Sequence, residues 1–189
     1  MISRTRTTKE TSVEISLEVA PTEQTVSIKT GCPFMDHMIT LLAFHGGWSL
    51  TVSAQGDDVD DHHIAEDLAI TLGSAVLKSL EGRTYRRYGW CAMPMDGTLV
   101  LTSVDLSGRG SLTSDLPFPT EKCGSFDTEL IEEFWRAFAR ESRSTVHLRA
   151  LSVDNSHHLA EATFKGMGQA LRQALEDDRS VRSTKGVLV

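Results

Sequence analysis

The chain has 189 residues, of which 40% are hydrophobic and 24% are charged, and its net charge is −7. This composition supports a folded core and argues against a nucleic-acid-binding protein, which normally carries a basic surface. Cys32, Cys91 and Cys123 are scattered and odd in number, so they indicate neither a disulfide framework nor a thiolate zinc site. No apolar run is long enough to cross a bilayer, so we expect a cytoplasmic protein without membrane contact.

The first half of the chain predicts three strands and two helices. Alternating apolar and polar residues indicate strands, and apolar residues at every third or fourth position indicate helices. The predicted elements are strands at 12–20 and 23–29, a helix from Pro33 to about His45, a strand at 48–54 and a helix at roughly 62–80.

The second half repeats this order. Its predicted elements are strands at 88–95 and 98–106, a helix at about 126–141, a strand at 145–151 and a helix at 157–175. The pair His62-His63 recurs as His157-His158, an offset of 95 residues, which indicates an internal duplication. We therefore predict an α+β fold with two mostly antiparallel sheets, each covered by two helices. A single domain would span 1–189, with repeats at roughly 1–86 and 87–189.

The strongest motif is His-His-x-x-Glu, which occurs at 62–66 and again at 157–161. Positions i and i+4 of a helix share one face, so His62 with Glu66, and His157 with Glu161, can each bind a metal ion. The second histidine of each pair points about 100° away. If the repeats face each other, it can complete the site of the other repeat. Imidazole and carboxylate ligands suit Mn, Fe or Zn.

A structural interpretation of these residues is also open. Glu66 and Glu161 could simply complement the helix dipole at a helix N-terminus. Two copies in register favour the metal interpretation instead. His37 and Glu133 lie on the matching first helices of the two repeats and are further candidate ligands. His45 ends its helix and could serve only as a cap there.

Segments over nearly the whole chain resemble the imidazoleglycerol-phosphate dehydratase family. They are 4–11 (RTRTTKET), 34–38 (FMDHM), 60–67 (DDHHIAED), 87–89 (RYG), 94–96 (PMD), 104–109 (VDLSGR), 126–130 (FDTEL), 155–165 (NSHHLAEATFK) and 183–186 (STKG). The resemblance implies a lyase of histidine biosynthesis that dehydrates imidazole glycerol phosphate to imidazole acetol phosphate. It also implies two Mn²⁺ ions per subunit and a cytoplasmic homo-oligomer, usually of 24 subunits.

The resemblance further implies roles for individual residues. One manganese ion would be held by His37, His63, His157 and Glu161, and the other by His62, Glu66, Glu133 and His158. Glu10 and Glu161 are the implied catalytic residues. The implied contacts of the phosphorylated imidazole substrate are Glu10, His37, His45, His62, Glu66, Arg87, Arg109, His157, Lys165, Ser183, Thr184 and Lys185. We expect two metal ions to hold the ring as imidazolate while Glu10 moves the proton.

Two departures from the family pattern leave an alternative open. Many members carry histidine where this chain has Glu133, and an acid where it has Gly97. The alternative is a catalytically impaired paralogue that acts as a metal-dependent assembly. A di-metal hydrolase is a further class, but it has no need of two duplicated histidine motifs.

Overall fold

The computed structural model describes residues 1–57 and 59–179. Its elements are β1 (Ile2–Thr7), β2 (Thr11–Glu18), β3 (Val26–Lys29), α1 (Pro33–Gly46), β4 (Ser49–Gly56), α2 (His62–Ser79), β5 (Tyr88–Met95), β6 (Thr98–Asp105), β7 (Ser111–Asp115), β8 (Lys122–Cys123), β9 (Phe126–Asp127), α3 (Glu129–Glu141), β10 (Thr145–Ser152) and α4 (Ser156–Ala174).

The strands form two four-stranded sheets of the same topology. The first has the order β1-β2-β4-β3 and the second the order β5-β6-β10-β7. In each sheet the first two pairings are antiparallel and the last is parallel. β8 and β9 form a separate two-stranded hairpin before α3. Each strand of the first sheet thus has a counterpart at the same place in the second.

The helices lie between the two sheets. α1 and α2 contact strands of the first sheet, and α3 and α4 contact strands of the second. Helices of the two halves also pack on each other, α1 against α4 and α2 against α3. The core therefore lies in the helical layers, where four aromatic side chains of α3 and α4 meet: Phe134, Trp135, Phe138 and Phe164.

Two glycines bring the paired helices close together. A Cβ on Gly168 of α4 would lie 2.6 Å from the carbonyl oxygen of Leu42 in α1. A Cβ on Gly73 of α2 would lie 2.8 Å from the carbonyl oxygen of Phe138 in α3. The two glycines are 95 residues apart, the same offset as the histidine pairs. Both helix pairs therefore need a residue without a side chain at the same crossing.

The predicted α+β class and two-sheet architecture are confirmed, and each sheet is covered by two helices. Each four-stranded sheet contains one strand that the pattern did not indicate, β1 in the first and β7 in the second, and the β8–β9 hairpin was not indicated either. The inward side chains of β1 include Arg4 and Arg6, so this strand lacks the apolar alternation that marks a half-buried strand. The predicted helix at 126–141 was too long at its start, because Phe126–Asp127 is β9 and the helix begins at Glu129.

The proposed division into repeats at residue 86 stays a prediction. Ser183, Thr184 and Lys185 lie outside the described residues. No helix in the described part of the chain combines the length and the apolar character that crossing a bilayer requires.

Candidate metal and substrate site

Three candidate ligands meet where α1 packs on α4. His37 Nε2 lies 2.7 Å from Glu161 Oε1, and His157 Nε2 lies 3.3 Å from the same oxygen. One ligand atom from each residue falls within 4.8 Å of the other two. His157 and Glu161 are one helical turn apart, and His37 arrives from α1 because Gly168 lets the two helices approach. This is the one such three-ligand group among residues 1–57 and 59–179.

Neighbouring side chains fix the orientation of this group. The N-cap residue Asn155 begins α4 by accepting a hydrogen bond from the backbone N–H of His158, at 2.8 Å. The edge of the His157 ring contacts Phe34, whose ring stacks on Phe126 of β9. The ligand atoms are therefore held by a helix cap and by aromatic packing before any ion binds.

Glu161 is a carboxylate at neutral pH. Its side chain is only 9% exposed, and this burial by itself raises the pKa. Hydrogen bonds from Lys165, His37 and His157, together with the charge of Lys165, outweigh burial and lower the pKa to about 2. The Lys165 ammonium donates to Glu161 Oε2 at 2.7 Å. An ionised carboxylate beside two imidazoles is a donor set that a divalent cation can use.

The second predicted ligand set is not gathered in the same way. His62 and Glu66 lie on α2 and Glu133 lies on α3, and these helices pack together as α1 and α4 do. Glu66 Oε1 lies 3.6 Å from Arg140 Nη2, so this carboxylate faces a cation. His62, Glu66 and Glu133 do not form a three-ligand group within the 4.8 Å limit that His37, His157 and Glu161 meet.

The second histidine of each pair contacts acids outside both sets. His63 Nδ1 lies 3.1 Å from Asp57, and His63 Nε2 lies 3.9 Å from Glu10. The hydrogen bond with Asp57 raises the pKa of His63. His158 Nδ1 lies 2.9 Å from Asp154. His158 Nε2 in turn lies 3.6 Å from Asp96. Because each Nδ1 is engaged by a carboxylate at a shorter distance, Nε2 is the ring nitrogen that a metal could use.

Sequence reasoning missed the roles of Asp57 and Asp154. The available signal was weak, since each is only an acid in the loop before a His-His pair. Asp154 also accepts from the Thr98 hydroxyl and from the N–H of Gly97, and these bonds with that of His158 lower its pKa. A Cβ at position 97 would lie 3.0 Å from Asp154 Cβ. The glycine thus fits the position that Asp154 takes beside His158.

Glu10 lies in the turn between β1 and β2. The turn is fastened to α2 because the Thr11 hydroxyl and Arg6 Nε both donate to the buried carboxylate of Asp67. This network keeps Glu10 near His63, and it was a second feature that sequence reasoning missed. The only indication of this role in the sequence was that Asp67 directly follows Glu66.

The predicted phosphate contacts lie in two places. Arg87 binds Asp105 through Nε at 2.6 Å and Nη2 at 3.0 Å, and Arg109 Nη2 approaches the same carboxylate at 3.9 Å. Lys165 lies at the three-ligand group instead, between Glu161 and Met95. Arg87 is nearly buried and has a φ of 77°, a conformation that its backbone bonds to α4 and Leu106 stabilise.

His45 ends α1 on the side of α4. Burial lowers the pKa of His45, and the charge of Lys165 lowers it further. A neutral ring there can accept or donate one hydrogen bond near the three-ligand group.

Known proteins match the chain along most of its length. A sequence model described as imidazoleglycerol-phosphate dehydratase matches residues 30–171. A protein of that name from Desulforudis audaxviator is 46% identical over 97% of this chain and 95% of its own, and one from Streptococcus mutans is 46% identical over 97% and 96%.

Solved structures agree with these sequence matches. The crystal structure of IGPD from Pyrococcus furiosus in complex with (S)-C348 has a TM-score of 0.88 at 40% identity, covering 97% of this chain and 99% of that one. The structure of imidazoleglycerol-phosphate dehydratase from Staphylococcus aureus has a TM-score of 0.86 at 39% identity, covering 94% and 99%. The resemblance noted in the sequence is confirmed, and the chain belongs to the imidazoleglycerol-phosphate dehydratase family.

Proposed function

We propose that this protein dehydrates imidazole glycerol phosphate to imidazole acetol phosphate, a step of histidine biosynthesis. The observation that carries the proposal is the group of His37, His157 and Glu161, placed by two helices in a chain of this family. The reaction removes a proton and a hydroxyl from the glycerol chain as water and leaves an enol that becomes the ketone. We place the enzyme in the cytoplasm.

The donor chemistry of the site fits manganese. Two imidazoles and an ionised carboxylate are ligands that Mn²⁺ accepts, and no cysteine belongs to this group in the described part of the chain. We assign one ion to His37, His63, His157 and Glu161. We assign the second ion of each subunit to His62, Glu66, Glu133 and His158.

Neither set of four is complete within one chain. Within one chain, His63 contacts Asp57 and His158 contacts Asp154, rather than the other proposed ligands of their sets. Another subunit can supply the missing histidine, since symmetric copies present the same surface. We therefore propose a homo-oligomer, of 24 subunits as in the family pattern, in which subunits share the metal sites.

The residues of the chain divide the work of the reaction. When bound, the metal ions supply Lewis-acid stabilisation of negative charge on the imidazole ring of the substrate. Glu10 takes up and returns the proton from its turn beside His63. Arg87 and Arg109 hold the phosphate by charge together with Lys185 of the C-terminal segment, and Lys165, Ser183 and Thr184 contact the substrate. His45, His62, Glu66 and Glu161 line the same site.

The decisive experiment measures formation of imidazole acetol phosphate by the full chain with Mn²⁺ and with chelator. We expect turnover with Mn²⁺ and its loss with chelator. His157→Ala should lose most turnover and about one bound ion per chain, because one ligand of a closed set is removed. Glu132→Ala is the control, since Glu132 is exposed on α3 and pairs only with Arg136 among the described residues.

The alternative of an impaired paralogue makes a different forecast. An impaired paralogue would bind metal fully but form no product. The residues that suggest this alternative are Gly97 and Glu133. Metal-loaded protein that forms no product would overturn the proposed activity in favour of this alternative. Full turnover in His157→Ala would instead contradict the assignment of His157 as a metal ligand.

A further inference from the structure

The ring nitrogen Nδ1 of His158 lies between two side chains that make opposite demands on it. Oδ2 of Asp154 lies 2.9 Å from this nitrogen, and Nδ2 of Asn155 also lies 2.9 Å from it. An ionised carboxylate only accepts hydrogen bonds, whereas an amide nitrogen only donates them. In a neutral imidazole, Nδ1 either carries the ring hydrogen or lacks it, so it can satisfy one of these neighbours and not both.

The helix that Asn155 caps fixes the orientation of its amide. The amide oxygen accepts from the backbone N–H of His158 at 2.8 Å, and a backbone N–H can only donate. The NH2 group of Asn155 therefore faces the ring. By itself it favours the tautomer that has no hydrogen on Nδ1. That tautomer carries its hydrogen on Nε2, which then cannot bind a metal ion.

Three hydrogen bonds hold Asp154 in the opposing position. Its Oδ1 accepts from the Thr98 hydroxyl and, at 2.7 Å, from the backbone N–H of Asn155. Its Oδ2 accepts from the backbone N–H of Gly97 at 3.3 Å. Gly97 also leaves room for this side chain, because a Cβ there would lie 3.0 Å from Asp154 Cβ. Groups other than the proposed metal ligands thus direct Oδ2 at the ring of His158.

The first repeat shows no such conflict among the residues that the structure describes. His63 Nδ1 contacts both carboxylate oxygens of Asp57, at 3.1 and 3.2 Å, and no amide nitrogen. The residue that matches Asn155 at the offset of 95 residues is Asp60, which accepts from the backbone N–H of His62. An acid can therefore accept from the start of the helix in place of the amide. The amide of the second repeat is what makes an opposing carboxylate necessary.

We propose that Asp154 is a positioning residue for His158. Its carboxylate keeps the ring hydrogen on Nδ1, against the amide of Asn155, and so leaves Nε2 free as a ligand of the proposed second ion. Asp96 lies 3.6 Å from Nε2, which is too far for a hydrogen bond that would hold the hydrogen there. The assignment rests on the proposed function, because it concerns one of the metal ligands of that function.

The test compares Asp154→Asn with a swap variant, Asp154→Asn/Asn155→Asp. In Asp154→Asn the amide oxygen should take the place of Oδ1, where two donors meet, so that its NH2 group faces Nδ1 of His158. Both neighbours of Nδ1 are then donors, and we expect the ring hydrogen to move to Nε2. In the swap variant the carboxylate at position 155 still caps the helix and can accept from Nδ1. It should restore the wild-type tautomer at the same total charge.

Two measurements on the full chain detect the effect. Nitrogen NMR of metal-free protein with labelled histidine rings shows which ring nitrogen carries the hydrogen, at about pH 8, where an ordinary imidazole is neutral. The signal of His158 is the one that is lost in His158→Gln. Equilibrium dialysis measures the affinity for Mn²⁺. We expect the affinity for one ion to fall about 10- to 100-fold in Asp154→Asn and to recover in the swap variant.

The matched control is Asp115→Asn, which makes the same change at an exposed acid that pairs only with Arg149 among the described residues. It should keep both the tautomer of His158 and the affinity for Mn²⁺. Asp154→Ala leaves only the amide of Asn155 beside Nδ1, so it should behave like Asp154→Asn and replaces that variant if it does not fold. Circular dichroism shows which variants are folded.

Two results would overturn the proposal. One is an unchanged tautomer of His158 in the folded Asp154 variants. The other is a loss of Mn²⁺ affinity that is equal in Asp154→Asn and in the swap variant, which would indicate a purely structural role. A wild type that forms no product would count against the proposed function alone, because the tautomer is measured without metal or substrate.

Discussion

At the scale of single residues, the position of Glu161 determines its charge. Three N–H donors converge on a buried carboxylate, so it is ionised before a cation arrives. A metal ion held by His37 and His157 through Nε2 would require both rings to carry their hydrogen on Nδ1. The same environment makes Glu161 a source of pH-dependent stability.

The sign of this dependence follows from the lowered pKa. A carboxyl group whose folded pKa is about 2, against an ordinary 4.5, stabilises the fold above the ordinary value. That contribution is lost as pH falls from about 4.5 towards about 2. Glu161→Gln should therefore lower the melting temperature of metal-free protein at about pH 6, and the difference should shrink near pH 3. Thermal melts check this, with exposed Glu14→Gln as control. A constant difference at both pH values would contradict the assigned pKa.

Glu133 stands where the resemblance in the sequence led us to expect histidine. A carboxylate is a harder ligand than imidazole, so we expect the metal site that includes Glu133 to prefer a harder ion than the same site with histidine would. Glu133→His should keep turnover and shift the preference from Mn²⁺ towards Zn²⁺ or Fe²⁺. Glu133→Ala should lower the metal content, while Glu132→Ala should not. Metal analysis after dialysis measures this, and equal content in all variants would show that Glu133 is no ligand.

At the scale of elements, the helix pairs decide which ligands meet. His37 reaches His157 and Glu161 only because α1 and α4 cross at Gly168. The turn that carries Glu10 depends in the same way on Asp67, which fastens β1 and β2 to α2. Neither contact involves a candidate ligand, yet the first sets the position of His37 and the second that of the proposed catalytic residue Glu10.

Gly168→Ala tests the role of the crossing. Its Cβ would lie 2.6 Å from the Leu42 carbonyl oxygen, so α1 and α4 must separate. We expect a loss of about 1–3 kcal/mol in unfolding free energy, as for other overpacked sites, and weaker metal binding. Gly56→Ala is the control, because its Cβ makes an ordinary 3.5 Å contact with Ile64. Unchanged stability and metal affinity in Gly168→Ala would show that the close approach is not needed.

At the scale of the whole molecule, the proposed metal site between α1 and α4 would join subunits, because its proposed fourth ligand, His63, contacts Asp57 instead within one chain. A dication would bring carboxylates and histidines of different subunits together there. Assembly should therefore depend on metal.

The expected outcome is an increase in size when Mn²⁺ is added to metal-free protein, because the ion completes sites shared between subunits. Glu133→Ala should reduce this increase. Sedimentation in chelator, followed by Mn²⁺, measures both. A wild type of one size throughout would show that metal does not assemble the particle.

The sequence by itself determined the chemistry and the class of fold. The duplicated motif indicated that His157 and Glu161 lie together as candidate ligands, because i and i+4 positions meet on any helix. Repeated periodicity predicted two sheets covered by helices. The pattern did not indicate strand β1 because two of its three inward side chains are Arg4 and Arg6, or β7 because it is short and mostly polar.

Only the tertiary structure decided which repeats and residues act together. Helical spacing is local, but His37 and His157 are more than a hundred residues apart in sequence. Their meeting depends on the crossing of α1 and α4, which no local pattern encodes. The same holds for Asp57 and Asp154, which become histidine partners through loop geometry. Burial is also a property of the folded chain. It distinguished the polar outer face of the first sheet from the apolar one of the second, because alternation along a strand does not say which side faces water.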